Sequence, residues 1–246
     1  MNPSPSAGRL GYFVAQIIPD GYQFAGVGDF EGEGSSDVLL WNPALQNGLI
    51  LRLHGSSMYI VRQILPSNRA INWQVAGIGD LDDNGFSDVL FRDPNGDLEI
   101  LYMGLTGILR TMDLSPSELH FTATPLFEQL NPNLAATGEF DTSWEVVGVA
   151  AINNYAAIIW TNALGELGIT EFIYPVENPY GSVIATLPLG SRIQGMGDYN
   201  GDGSVDLLLR DLSTGKIALW YLNFFGGNYY QPAPATGVAI SGAWQN

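Results

Sequence analysis

Nine consecutive residues, Asp80-Leu81-Asp82-Asp83-Asn84-Gly85-Phe86-Ser87-Asp88, place oxygen-bearing side chains at loop positions 1, 3, 5 and 9 and a glycine at position 6. That spacing suits a hard divalent cation. Calcium takes about six to eight oxygen ligands at ~2.3–2.6 Å, and a tight turn points positions 1, 3 and 5 inward while glycine at 6 permits the bend. The expected ligands are Asp80, Asp82, Asn84, the Phe86 carbonyl and Asp88. The same logic selects Asp198, Asn200, Asp202, the Ser204 carbonyl and Asp206. A third loop offers Asp29, Glu31, Glu33, the Ser35 carbonyl and Asp37, where two longer glutamates must fold back to reach an ion and bind it more weakly. Two calcium sites are therefore expected, with a weaker third at Asp29. Magnesium fits less well because it keeps its waters and rarely accepts an all-protein cage.

Asp-Gly and Asn-Gly are also favoured hairpin turns that need no ion. Turn preference accounts for one aspartate before a glycine. It does not account for three or four carboxylates crowded into nine residues, where like charges repel. A fourth segment, Glu139 to Glu145, is shorter and lacks the glycine, so it is expected to bind no metal. The D-x-D-x-N-G string also opens EF-hand loops. Here β-type runs flank it, and the glutamate required at position 12 is absent.

The elements that hold these loops repeat along the chain. Tyr22–Leu40, Trp73–Leu90, Asn133–Val147 and Arg192–Leu208 stack with their first acidic residues about 50–60 residues apart. After each loop come a β-branched or leucine-rich run, a turn, and an alternating run with aromatics, the grammar of hairpins. Further short runs end at Pro19, Pro66 and Pro188, where a missing backbone donor costs no ladder bond. Four-strand units of this size predict an all-β fold, a β-propeller of four blades over 22–72, 73–130, 131–191 and 192–246. Residues 12–19 read as a separate strand that closes the ring or pairs with a neighbour, and Trp244-Gln245 resembles the Trp73-Gln74 that opens a blade. Ser117–Leu130 reads as an insertion with room for one helical turn.

Composition narrows the function. The 246-residue chain is 46% hydrophobic with 30 glycines and 14 prolines, as expected for many short strands joined by tight turns. A net charge of −16 with nine basic residues argues against nucleic acid and anionic lipid, which require a basic patch. No cysteine is present, which removes disulfides, thiol catalysis and thiolate metal sites. No apolar run reaches the ~18 residues of a membrane span, and Met1–Leu10 lacks the apolar stretch of a signal peptide. His54 and His120 sit in no catalytic motif, and every dense carboxylate pair lies in a proposed calcium loop, so no enzyme activity is expected.

The strings GDFEGEGSSDVL, GDLDDNGFSDVL and GDYNGDGSVDLL resemble the FG-GAP or VCBS repeat, over roughly residues 12 to 246. That repeat builds calcium-bearing propellers in integrin α-chain heads, secreted bacterial proteins and some lectins. The resemblance implies a calcium-stabilised binding or adhesion module, extracellular or on a cell surface, with a protein or carbohydrate ligand. Alternative expectations are a glycan-binding lectin using some of the six tryptophans, and a self-assembling subunit that pairs through terminal strands.

Overall fold

The computed structural model describes residues 18–54, 57–66, 72–123, 137–152, 155–172, 179–224 and 230–232. The fold is a four-blade β-propeller in which, among the described residues, no buried cluster joins the last blade back to the first. Blade 1 is the meander β1 (Gln23–Gly28), β2 (Asp37–Asn42), β3 (Asn47–His54) and β4 (Ser57–Ile64). Blade 2 repeats it with β5 (Gln74–Gly79), β6 (Asp88–Arg92), β7 (Leu98–Gly104) and β8 (Gly107–Leu114). A single 3-10 turn, Pro116–Glu118, follows, its start held by Ser115, whose amide donates to the Glu118 carboxylate at 2.8 Å. This turn overlaps the start of the insertion at 117–130, whose residues 124–130 lie outside the described ones.

The insertion also supplies a strand. β9 (His120–Ala123) pairs with β10 (Thr137–Glu139) and runs parallel to the outer strand of blade 3. Blade 3 comprises β11 (Trp144–Ile152), β12 (Tyr155–Asn162), β13 (Glu166–Phe172) and β14 (Tyr180–Thr186), so its sheet carries six strands. β9 thus falls within the unit drawn as 73–130 yet joins the sheet of blade 3. Blade 4 has β15 (Ser191–Gly197), β16 (Asp206–Asp211) and β17 (Ile217–Trp220), followed by a ribbon of β18 (Leu222–Phe224) and β19 (Tyr230–Pro232). The proline stops fall where expected, with Pro66 two residues beyond β4 and Pro188 two beyond β14. The strand expected at 12–19 and the Trp244-Gln245 motif lie outside the described residues, apart from Ile18 and Pro19, which are in no strand.

Each inner strand carries a β-bulge at the same place. The register slips between Phe24 and Gly26, Val75 and Gly77, Val146 and Gly148, and Ile193 and Gly195. This fixes how the repeats correspond, and it differs from the sequence alignment in blade 3. There the inner strand is β11, and the residue matching Asp29, Asp80 and Asp198 is Ala151, not Glu139. Ile152 pairs directly with Tyr155, leaving no room for a nine-residue loop.

Blades pack through three buried clusters. Trp41, Leu39 and Ile50 meet Phe91, Val89 and Leu101 between blades 1 and 2. Leu90, Ile100 and Tyr102 meet Ile158 and Trp160 between blades 2 and 3, joined by Phe121 and Phe140. Ile159, Leu167 and Ile169 meet Leu207, Leu209 and Trp220 between blades 3 and 4. Phe140 stacks on Trp160 with centroids 4.8 Å apart, so the strands inserted before blade 3 add aromatic surface to its core.

The inner strands approach one another too closely for side chains on both. A Cβ on Gly26 would lie 2.6 Å from Ile78, one on Gly77 2.7 Å from Val149, and one on Gly148 2.6 Å from Met196. Each glycine is a hole filled by an apolar residue of the next blade. Gly77→Val is therefore expected to overpack this contact and cost about 1–3 kcal/mol, read as a lower urea midpoint at unchanged slope.

Candidate metal centre

The three acidic loops share one backbone. Position 6 is left-handed in each, at Gly34 (φ 77), Gly85 (φ 86) and Gly203 (φ 84), and so is position 4, at Gly32 (φ 68), Asp83 (φ 57) and Gly201 (φ 78). A Cβ at Gly34, Gly85 or Gly203 would meet nothing within 4 Å, so glycine is there for its dihedral and not for space.

The first aspartate of each loop organises that backbone. Asp29 accepts the amides of Glu33 (3.1 Å) and Gly34 (2.6 Å). Asp80 accepts those of Asn84 (3.1 Å) and Gly85 (2.8 Å), and Asp198 those of Asp202 (3.1 Å) and Gly203 (2.9 Å). The amides aimed at Asp198, that of Gly203 foremost, hold its carboxyl below the usual carboxylate range.

The last aspartate of each loop is fully buried and closes the loop on its own blade. Asp88 accepts the Leu81 amide at 2.7 Å and, across the sheet, the Met103 amide at 2.7 Å. Asp206 does the same with Tyr199 (2.9 Å) and Leu222 (3.2 Å), and Asp37 takes the Phe30 amide at 3.3 Å. Burial pushes the Asp88 carboxyl up to about 8 against the pull of its two amides, with Asp82 and Asp80 adding to the rise. Burial likewise raises Asp37 and Asp206.

What distinguishes the loops is how they neutralise the remaining charge. In the first, Glu33 is paired with Arg52, and Glu31 with Arg62 at 3.2 Å. In the second, Asp82 has only Arg110 at 3.9 Å, and that guanidinium lies over the Tyr102 ring, 3.7 Å from its centroid. Carboxylate oxygens of Asp80, Asp82 and Asp88 come within 4.8 Å of one another. The Oδ1 of Asp82 is buried with no hydrogen-bond partner, as is that of Asp37 in the first loop; among the described residues, only in the second loop does such an oxygen sit within a cluster of three carboxylates. Burial first, and the charge of Asp80 second, raise the Asp82 carboxyl. Among the described residues no other loop gathers three carboxylates so tightly.

The remaining candidates have other engagements. Asn84 Oδ1 accepts the Phe86 amide at 2.8 Å while its Nδ2 donates to the Met103 carbonyl at 2.9 Å. Asn200 donates to Asp202 at 2.8 Å, so position 3 of the fourth-blade loop supplies no carboxylate. The Phe86 ring covers Gly32 of the neighbouring loop, where a Cβ would come within 2.6 Å of it. Ser35 is exposed and Ser204 buried. Asp141, at the centre of the segment matched to a third loop, instead accepts the Ser143 amide (2.8 Å) and hydroxyl (2.6 Å) in a local turn.

A residue with no acidic signal joins the first two loops. Ser87 donates its amide to the Asp29 carbonyl (2.7 Å), and its hydroxyl accepts the Asp29 amide (2.9 Å). Val205, at the corresponding position of blade 4, donates its amide to the Ala151 carbonyl at 2.9 Å. Its place just before the buried aspartate is the only cue in the sequence.

Compared with known proteins, the chain matches no protein-family model and no curated protein. No helix among the described residues is long and apolar enough to cross a membrane.

Two outcomes are expected without added metal. Asp83→Gly relieves a left-handed non-glycine residue and removes one like charge, so stability rises by about 1 kcal/mol, measured by urea denaturation. The Asp88 carboxyl titrates higher in the folded chain than the about 4 of an unfolded one. It therefore favours the fold most below about pH 4 and progressively loses that contribution as pH climbs to about 8. The melting temperature in chelator falls across this window, and Asp88→Asn, less stable at low pH, shows a flatter profile.

Proposed function

We propose that this chain is a calcium-stabilised binding or adhesion module, extracellular or at a cell surface, whose ligand is a protein. One observation carries the metal: the buried, unpartnered Oδ1 of Asp82 within a cluster whose Asp80, Asp82 and Asp88 oxygens lie within 4.8 Å of one another. The donor set is all oxygen, which suits a hard cation, and the backbone already holds the bend that such a loop requires. Asp80, Asp82 and Asp88 would hold the ion, and it would supply the positive charge that Arg52 and Arg62 provide in the first loop. The Asp198 loop is a second site of the same backbone with fewer charges. The resemblance to FG-GAP or VCBS repeats supports both the metal and the role as a binding module.

A carbohydrate ligand finds less support. Among the described residues the tryptophans, Trp41, Trp73, Trp144, Trp160 and Trp220, are all buried, so none of them offers a ring face for stacking on a sugar. A glycan array showing calcium-dependent binding would reverse that preference.

Calcium should raise the melting temperature. A site whose Kd lies a hundredfold below free calcium adds about 2.7 kcal/mol, or roughly 5–10 °C for a domain of this size. Magnesium at equal concentration should give far less. Asp82→Asn should be more stable than the parent in chelator yet gain little from calcium. An unchanged melting temperature on adding calcium to verified metal-free protein would sink the reading.

A further inference from the structure

Three kinds of contact join neighbouring blades, one at all three junctions, one at two and one at a single junction, and each is left half-made at the ends of the series. The first is the knob in the glycine hole: Ile78, Val149 and Met196 fill Gly26, Gly77 and Gly148. Val27 is the matching knob of blade 1, and it is 54% exposed. Phe24 and Ile60, on the same face, are 68% and 42% exposed, whereas the residues matching Phe24 in blades 2 to 4 pack against the buried clusters. Gly195 is the matching hole of blade 4. A Cβ there would meet only Tyr199 of its own loop, at 3.5 Å.

The second contact is an amide. Ser87 and Val205 donate to the carbonyls of Asp29 and Ala151 in the preceding blade. Ser36 is the corresponding donor of blade 1 and is exposed. Its acceptor would be the carbonyl of Asp198. The third is an arginine. Arg92 reaches forward from blade 2 to the carbonyls of Trp144 and, at 2.6 Å, Asp141. Arg210 holds the same register position in blade 4 and is exposed.

We propose that a second copy of this chain docks the outer face of its blade 4 onto blade 1, with Val27 entering the partner's Gly195 hole. The surfaces are those that already pack blade on blade, so the contact continues an established interface. Among the described residues of one chain they do not meet, since Val27 stays exposed and a Cβ at Gly195 meets only Tyr199. The contact is head-to-tail, and two copies related by a two-fold axis close one ring with both ends used. That ring has twice four blades, at the top of the range of about four to eight for propellers. It buries the exposed apolar Val27, Phe24 and Ile60.

The chain has no cysteine, which makes a cross-linking test clean. Val27→Cys is placed on one batch of the full chain and Gly195→Cys on another; both positions have room for the sulfur. Under mild oxidation the mixed batches should give a band at twice the 26.6 kDa chain mass on a non-reducing gel, and neither batch alone should. Light scattering of the unmodified chain with calcium should give the same doubled mass, and Val27→Asp should halve it while circular dichroism stays that of the folded chain. A monomeric unmodified chain at about 100 μM, a mixture that does not cross-link, or a doubled mass indifferent to Val27→Asp would each overturn the proposal. So would a double variant that cross-links within one chain.

Discussion

The inner strands of a propeller converge, and that convergence leaves no room for a β-carbon on both sides of a blade junction. Gly26, Gly77 and Gly148 meet the constraint by giving up their side chains to Ile78, Val149 and Met196. The bulge beside each glycine follows from the same crowding, because it turns the inner strand without interrupting its pairing. Bulge and glycine together set the register of every later strand in the blade. They also determine where the inner strand ends, and so where each acidic loop begins.

The loops then inherit an electrostatic problem that the fold solves in different ways. Burying the last aspartate is the common step, since Asp88 and Asp206 accept two amides each and tie the loop to the third strand or its continuation. Desolvating that carboxylate is costly, and further acids nearby raise the cost. Loop 1 offsets it with Arg52 and Arg62. Blade 3 removes it altogether, with Ala151 and Ala157 where blade 2 has Asp80 and Asp88. Loop 2 has a single long pair, Arg110 with Asp82 at 3.9 Å, and keeps three carboxylates together. The two arginine pairs of loop 1 and the carboxylate cluster of loop 2 are therefore different chemistry on one shared backbone.

Much of this was legible in the residues. Glycine at position 6, aspartates at 1 and 9 and the repeated hairpin runs led to the blade fold and to three of its inner turns. The third repeat was misread because Gly138-Glu139-Phe140-Asp141 imitates Gly79-Asp80-Leu81-Asp82 in its residue types. The truer match, Trp144-Glu145-Val146-Val147-Gly148 against Trp73-Gln74-Val75-Ala76-Gly77, carries no acid at the glycine end and so no apparent chemistry. Strand β9 was illegible for a different reason. It pairs parallel to β14, a partner some sixty residues later in the chain, and no local pattern encodes such a distant partner. The arginines of loop 1 are hidden in the same way, since Arg52 and Arg62 come from β3 and β4 while the acids they meet lie before β2.

These features also couple the first two loops. Ser87 is bonded at both its amide and its hydroxyl to Asp29, and Phe86 covers Gly32. Both residues lie between the position-6 glycine and the buried Asp88, within the stretch a cation at Asp80, Asp82 and Asp88 would brace. Rigidity gained there passes into loop 1 through two hydrogen bonds and a ring, while the bulged strands behind both loops are already fixed by the knob of Ile78 in Gly26. A cation in one loop would thus order two loops and the junction between two blades, although only one of them supplies its ligands. The arginine-paired loop would need no ion of its own to respond to a cation bound at the second.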